Sequence, residues 1–425
     1  MKRFRPIIAL MLLTVCTVVS AAGSPPTLVT ANRVEQQRFR WKDRTIKIAI
    51  SSSLTKQNGN IKADSDVVGA VKRSLQAWEA AAGIEFELDS SDRQSVSSVG
   101  DGVSIITIAP SAENILLFGD DSQSTAALTK IFHNGRGFIT EADIVLNPLQ
   151  QFSTDGTVGT FDLQSTLTHE IGHLLGLRHS GVMGASMSEK LAKVGALGFV
   201  DMGARVLAES DITAIRDLYG AGTETADCCA SVTGKLTVPV GKSFKNLRVW
   251  AEDSSTGRVL GQADVGTDGR FRLGGLPPGT HNFYWKARSG TNGSSSGELG
   301  ELKIETGEPS VLNQKISFGP STLALEFLGV NGQLGESGIS IEGGRQQMIY
   351  LGGKGLDPKT VEIEFASPFL HVVPFSSVRQ DFGDDVSVIS LSVMVDPETP
   401  PGVYSIFARG EDGSKAAVIG ALKVN

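Results

Sequence analysis

One segment constrains this chain more than any other: Thr168-His169-Glu170-Ile171-Gly172-His173-Leu174-Leu175-Gly176-Leu177-Arg178-His179-Ser180. Leu163, Leu167, Ile171 and Leu174 recur at helical spacing, so the segment is read as an apolar helix from about Asp162 to Leu175. On such a helix His169 and His173 share one face, one turn or about 6 Å apart. Two imidazoles so placed can close on one Zn²⁺ at ~2.0–2.1 Å. Gly176 tolerates the left-handed conformation that ends a helix, and the chain can then swing His179 back as a third ligand. Three neutral imidazoles leave a fourth position for water, whose pKa zinc lowers from ~15.7 to ~7. Glu170 projects beside the open side as a base and not as a ligand. Half of the six histidines lie in this segment. Unliganded on so apolar a helix they would be costly to bury, which weighs against a chance match.

At 425 residues the chain is too long for one ordinary domain. Hydrophobic residues make up 40% and charged residues 20%, the composition of a globular protein; 49 glycines favour β-rich modules with tight turns. The net charge of −7 is spread without basic clusters, so no nucleic-acid partner is expected. Lys2, Arg3 and Arg5 precede an apolar run from Ile7 to Val19, followed by Ser20-Ala21-Ala22. This reads as an export signal cleaved after Ala22, the run being short for a membrane anchor, and the protein is expected to be secreted. No later stretch is apolar enough to span a bilayer. Cys16 leaves with the signal. The adjacent Cys228 and Cys229 form no disulfide framework, and the sequence leaves open a bridge between them, a bridge between chains, or free thiols.

Residues 1–22 are thus a signal peptide and 23–40 a short leader or pro-segment. Residues 41–222 read as α+β. Strands are expected at Thr45–Ile50, Ile84–Leu88, Val103–Ile108 and Asp143–Asn147, and helices from about Val67 past Trp78, with Asp64 or Asp66 as cap, and from Asp211 to Tyr219. Residues 223–230 read as a linker. Beyond it the helical pattern disappears, and 231–319 and 320–425 read as two all-β sandwiches, with Thr291 to Gly297 as a Gly/Ser-rich loop tip. The fold class is therefore multidomain: an α+β domain, with a twisted mixed sheet and the histidine-bearing helix, followed by two β-sandwiches.

Over Trp41 to Gly220 the chain resembles the metzincin metalloproteases, and within them the matrixins, through the zinc motif including Ser180. The resemblance implies a zinc endopeptidase acting on proteins or peptides, with Glu170 as general base, His169, His173 and His179 as ligands of one catalytic zinc, and a Met-turn beneath the metal. Met187 lies eight residues past His179, the matrixin spacing, with Met183 as the fallback. Gly137 to Asn147 looks like the edge strand that binds substrate by strand addition, giving Ile139, Ala142 and Ile144 as substrate-binding residues. Ser210 to Gly220 looks like the closing helix. The Ser188-Glu189-Lys190 that follows Met187 departs from the family's specificity-pocket wall. Only His133 is available upstream for a second, structural zinc, which is expected to be absent. Calcium stays unassigned, with Asp120, Asp121 and Asp155-Gly156 as candidates. Residues 231–319 resemble a transthyretin-type, carboxypeptidase regulatory-like sandwich through Thr267 to Leu273 and Leu276-Pro277-Pro278-Gly279; the last unit is immunoglobulin-like. His281 and His371, in these units, are read as incidental. The competing reading is a secreted adhesion or binding protein with a degenerate metalloprotease domain, its sandwiches meeting an extracellular-matrix or cell-surface ligand.

Overall fold

The computed structural model describes residues 38–198, 202–221, 228–288, 294–307, 309–383 and 385–425. The expected signal peptide, most of the leader, residues 223–227 of the linker and residues 291–293 of the loop tip lie outside the described residues. Among the described residues no helix is long and apolar enough to cross a membrane.

The N-terminal region builds β1 (Arg40–Trp41), β2 (Thr45–Ser51), α1 (Ser52–Thr55), α2 (Val67–Ala82), β3 (Glu85–Ser91), β4 (Ile105–Thr107), α3 (Ala112–Leu116), β5 (Ala127–His133), β6 (Phe138–Leu146), β7 (Phe152–Ser153), β8 (Phe161–Asp162), α4 (Leu163–Leu174) and α5 (Glu209–Tyr219). Strands β1, β2, β3, β4 and β6 run parallel, in the order β1-β6-β4-β2-β3, and β5 adds antiparallel to β6. Helix α2 starts where Asp66 accepts from the Gly69 amide and stops at Gly83 in the left-handed conformation. Its buried Val71, Leu75 and Trp78 pack with Leu163, Leu167, Ile171 and Leu174 of α4 and with Ile46, Ile48 and Ile144 of the sheet in one core. Trp78 Nε1 donates to the Thr168 carbonyl at 2.9 Å, fixing α2 against α4.

The C-terminal region is all β. Strands β9 (Ala230–Thr237), β10 (Leu247–Asp253), β11 (Val259–Asp264), β12 (Arg270–Leu276), β13 (Gly279–Arg288), β14 (Ser294–Ile304), β15 (Ser310–Val311) and β16 (Gln314–Lys315) form two sheets, β11-β10-β13-β14 and β12-β9-β15 with β16 also on β9. Val232 and Phe271 of one sheet and Val249 and Phe283 of the other share a core. Ser294 to Gly297, expected in a loop, are strand: a Cβ on Gly297 would lie 2.6 Å from the Trp285 indole nitrogen, so the small residues let β14 pass beneath that ring. Cys228 and Cys229 are disulfide-bonded to each other.

Strands β17 (Ala324–Val330), β18 (Gln333–Gly335), β19 (Ile339–Ile341), β20 (Gln346–Lys354), β21 (Val361–Phe365), β22 (Leu370–Val372), β23 (Val378–Gln380), β24 (Ser387–Val395), β25 (Gly402–Gly410) and β26 (Lys415–Val424) form a second pair of sheets, β18-β17-β20-β24-β22 with β23 on β24, and β19-β26-β25-β21. Ile389, Leu391, Val393 and Val395 alternate along β24, as the sequence pattern requires, and face Ile406 and Leu422 in a third core. A fourth cluster joins all three regions: Val182 and Ala185 pack with Trp250 and Val259 and with Val403 and Ile419.

Candidate functional site

Helix α4 is anchored at both ends. Asp162 caps its start, accepting from the Ser165 amide at 2.8 Å and from Arg205 Nε at 2.9 Å. At its end the Leu177 amide donates to Gly172 and the Gly176 amide to His173, the paired pattern of a Schellman termination, with Gly176 at φ +97°. A Cβ on Gly176 would stand 2.1 Å from the Phe39 carbonyl oxygen. A glycine is therefore needed there twice, for the torsion and for the close approach.

The exit turn brings His179 back to the helix. One nitrogen from each of His169, His173 and His179 lies within 4.8 Å of the others. The Nε2 atoms of His169 and His173 are 3.1 Å apart, while their Nδ1 atoms meet the carbonyls of Ser186 and Leu177, each at 2.8 Å. A carbonyl accepts only, so each Nδ1 carries the proton and each Nε2 presents a lone pair. Lone pairs that face one another at this distance repel unless a cation lies between them. The donor set, its backbone-fixed tautomers and its burial therefore fit a divalent metal with imidazole affinity. Burial is the main cause that keeps these rings neutral: with repulsion from the neighbouring imidazoles added, His169 is held well below the usual imidazole range and His173 at about 4, while His179 is lowered by burial and by Arg248 and Lys190 against the opposing pull of Glu189.

Glu170 lies in the same cleft, and its Oε2 accepts from the Thr129 hydroxyl at 2.6 Å. Burial pushes its carboxyl up to about 7, and the Thr129 bond opposes that rise. Met187 packs beneath α4: a Cβ on Gly172 would fall 2.2 Å from its sulfur. Met183 instead sits at the third region, donating to the Ile419 carbonyl and accepting from the Gly338 amide. The turn at Met187 is pinned by Asp211, whose buried carboxylate accepts from the amides of Ser186, Met187 and Ala208.

The expectation for Ile139, Ala142 and Ile144 is corrected. They lie on β6, which pairs with β5 on one side and with β1 and β4 on the other, so it is an interior strand and not an edge. All three are 3% exposed or less. The edge strand is β5. Ala127, Leu128, Thr129, Ile131 and His133 line a cleft of about 1360 Å³ that also holds His169, Glu170, His173 and His179. The signal for β5 was present in Asn134-Gly135, a hairpin turn pair, after the β-favouring run Thr129 to His133. The roles of Thr129 and Asp211 at the site escaped sequence reasoning because Glu170 lies 41 residues from Thr129, and Ser186 lies 25 residues from Asp211.

No curated protein matches the chain. Among solved structures it is similar to the major pilin subunit of Bacillus cereus (10% identity, 46% of this chain and 69% of that one, TM-score 0.18). It is also similar to a Bacteroides ovatus mixed-linkage glucan utilization protein, solved with a mixed-linkage heptasaccharide (14% identity, 46% and 40% covered, TM-score 0.17). A third is a C-terminal fragment of intimin with its receptor domain (13% identity, 40% and 50% covered, TM-score 0.14). Likenesses this slight carry no argument. Residues 40–220 match the family model of the matrixins, and this stretch, with its mixed sheet, its long helices and the three histidines, is a matrixin-like domain.

Proposed function

We propose that the chain is a secreted zinc-dependent endopeptidase. The observation that carries the reading is the convergence of three imidazoles whose Nδ1 atoms are committed to carbonyls or kept neutral by burial, with a carboxyl group in the same cleft. His169, His173 and His179 would hold the metal, which when bound supplies Lewis acidity that activates water and polarises a peptide carbonyl. Glu170 acts as the base. Its affinity for a proton, raised to about 7, suits both taking a proton from water and returning it to the leaving amine near neutral pH. Thr129 fixes one carboxylate oxygen so that the other is turned to the reacting groups. The free edge of β5 offers backbone groups to which an extended substrate adds as a strand.

Export rests on the basic, apolar and small-residue succession at 1–22. The two sheet pairs are taken as sandwich modules, the first transthyretin-like and the second immunoglobulin-like, at 231–319 and 320–425. The test is Glu170→Ala: the variant should keep about one zinc per chain and lose cleavage of casein or gelatin. Wild type and variant equally inert with zinc bound would favour a binding protein built on a degenerate protease domain.

A further inference from the structure

The cleft has a second wall that the matrixin-like domain does not supply. Strand β12 pairs antiparallel with β9, with Arg270 opposite Lys235 and Arg272 opposite Thr233. Phe271 and Leu273 alternate with the arginines and point into the core of their own unit. Lys235, Arg270 and Arg272 are therefore presented together on the outer face, and all three line the cleft that holds Glu170 and the histidines.

This wall is fixed in place. Asp217 of α5 bridges Arg38, at the start of the described chain, and Arg272. A Cβ on Gly275 would fall 2.1 Å from the Thr213 carbonyl, so β12 lies directly on α5. Arg248 Nη1 and Gln262 Oε1 reach Gly181, two residues past His179. Positive charge is left in excess: Arg38, Arg178, Lys190, Lys235, Arg270 and Arg272 line the cleft against Glu170, Glu189, Asp217 and Asp264, of which Asp264 is paired with Arg248, while Arg270 also pairs with Asp268 outside the lining; Lys235 and Arg178 have no side-chain partner among the described residues. Burial first, and then the nearby charges of Arg272, Arg178 and Arg40, lower the proton affinity of Arg38. In a chain of net charge −7, a cationic stripe beside the histidine centre is a local reversal.

We propose that the β9–β12 face binds an acidic stretch of the polypeptide substrate and holds it alongside the histidine centre. The inference rests on the endopeptidase reading and adds its substrate class. Several carboxylates along an extended peptide can meet Lys235, Arg270, Arg272 and Arg178 at once, and the guanidinium groups offer paired donors to each. Single exposed pairs contribute little, but several in one cleft concentrate an oppositely charged ligand and make its binding dependent on salt.

The experiment uses the full-length, zinc-loaded Glu170→Ala protein and two fluorescein-labelled peptides of equal length, one carrying four Asp or Glu residues and the other Asn or Gln in their place. Fluorescence anisotropy at 0.05 M NaCl should show the acidic peptide binding about tenfold or more tightly than its neutral twin, with the gap closing at 0.5 M. Lys235→Glu with Arg270→Glu should abolish the gap at an unchanged melting temperature, and Lys235→Ser with Arg270→Ser should reduce it. Equal binding of the two peptides by the parent protein, or a gap that survives charge reversal, overturns the proposal. Cleavage of the neutral peptide by protein with Glu170 intact is scored separately. Cleavage without a binding gap removes the acidic site alone, and a binding gap without cleavage of either peptide removes the endopeptidase reading while the acidic site stands.

Discussion

Gly176→Ala tests how the exit from α4 builds the three-histidine site. The substitution imposes a left-handed torsion on a residue with a Cβ, costing about 1–2 kcal/mol. It also places that Cβ 2.1 Å from the Phe39 carbonyl oxygen, a backbone atom with little room to give; overpacking of this kind costs about 1–3 kcal/mol. The lower entropy of the unfolded chain returns under ~1 kcal/mol, leaving a loss of about 1–5 kcal/mol. Gly172→Ala is the control on the same helix. Its Cβ meets the Met187 sulfur at 2.2 Å, but that is a flexible side chain, and a helical alanine gains about 1 kcal/mol over glycine. A net loss of only about 0–2 kcal/mol is expected there. The two sites also differ for the metal. Relieving strain at Gly176 displaces Leu177, whose carbonyl holds His173 Nδ1, and the chain that carries His179. Urea unfolding of the zinc-loaded full chain, with chelator competition for zinc, reads both effects. Gly176→Ala should show the larger fall in midpoint or at least a tenfold loss of zinc affinity. A Gly176→Ala protein no less stable than Gly172→Ala, with zinc affinity within threefold of wild type, would refute this account of the exit turn.

Other outcomes follow from the same contacts. Thr129→Val removes the hydroxyl that fixes Glu170; a hydrogen bond to a charged group contributes about 1.5–3 kcal/mol, so kcat/KM should fall about tenfold or more, with Thr129→Ser recovering most of it. Asp211→Ala leaves three buried amides without their acceptor and should lower the urea midpoint by the equivalent of several kcal/mol, at about 1–3 kcal/mol per group; Asp211→Asn should lose less. Glu252, wholly buried with Trp250 Nε1 donating to it at 2.8 Å, is pushed up to about 7 by burial. A carboxyl raised in the folded state contributes stability that is complete below about pH 4.5 and is lost as pH rises through 7. Glu252→Gln should therefore flatten the fall in urea midpoint between pH 5 and 8, by about 1.4 kcal/mol per pH unit at most. Asp143, raised to about 7 chiefly by burial and then by Glu141, keeps a residual slope of the same sign in that variant.

The histidine-bearing helix was legible because what defines it is local: the apolar spacing, two histidines one turn apart and a glycine at the stop. The strand alternation of Thr45 to Ile50 and of Ile389 to Val395 was legible for the same reason. Edge and interior, by contrast, are properties of pairing. Phe138 to Leu146 has the composition of a strand wherever it sits, and only its two sets of partners show that it is interior. The polar support of the site was equally hidden, since Thr129 and Asp211 act through atoms brought close by the fold. Lys235 and Arg270 read as ordinary exposed strand residues until β12 is seen lying on α5, which turns their solvent face toward the histidines.

Dependence of the site on the last strand follows from a continuous set of contacts. Lys423, 8% exposed, donates to the carbonyls of Gly203 and Val206. The Val206 carbonyl also accepts from the Ser186 hydroxyl, the Ser186 amide donates to Asp211, and the Ser186 carbonyl accepts from His169 Nδ1. Lys423 further favours the charged form of Asp211, offsetting part of its burial. Removing the ammonium thus weakens a carboxylate that organises the Met187 turn and leaves carbonyls short of a donor. Lys423→Met should lower the urea midpoint by the equivalent of about 1–3 kcal/mol and weaken zinc binding, although the residue touches none of the three histidines. Because the route runs through Asp211, Lys423→Met and Asp211→Asn should be less than additive, with a coupling of 0.5 kcal/mol or more in a double-mutant cycle. Strict additivity, or a Lys423→Met protein with unaltered zinc affinity, would leave the last strand as a neighbour of the site and not one of its supports.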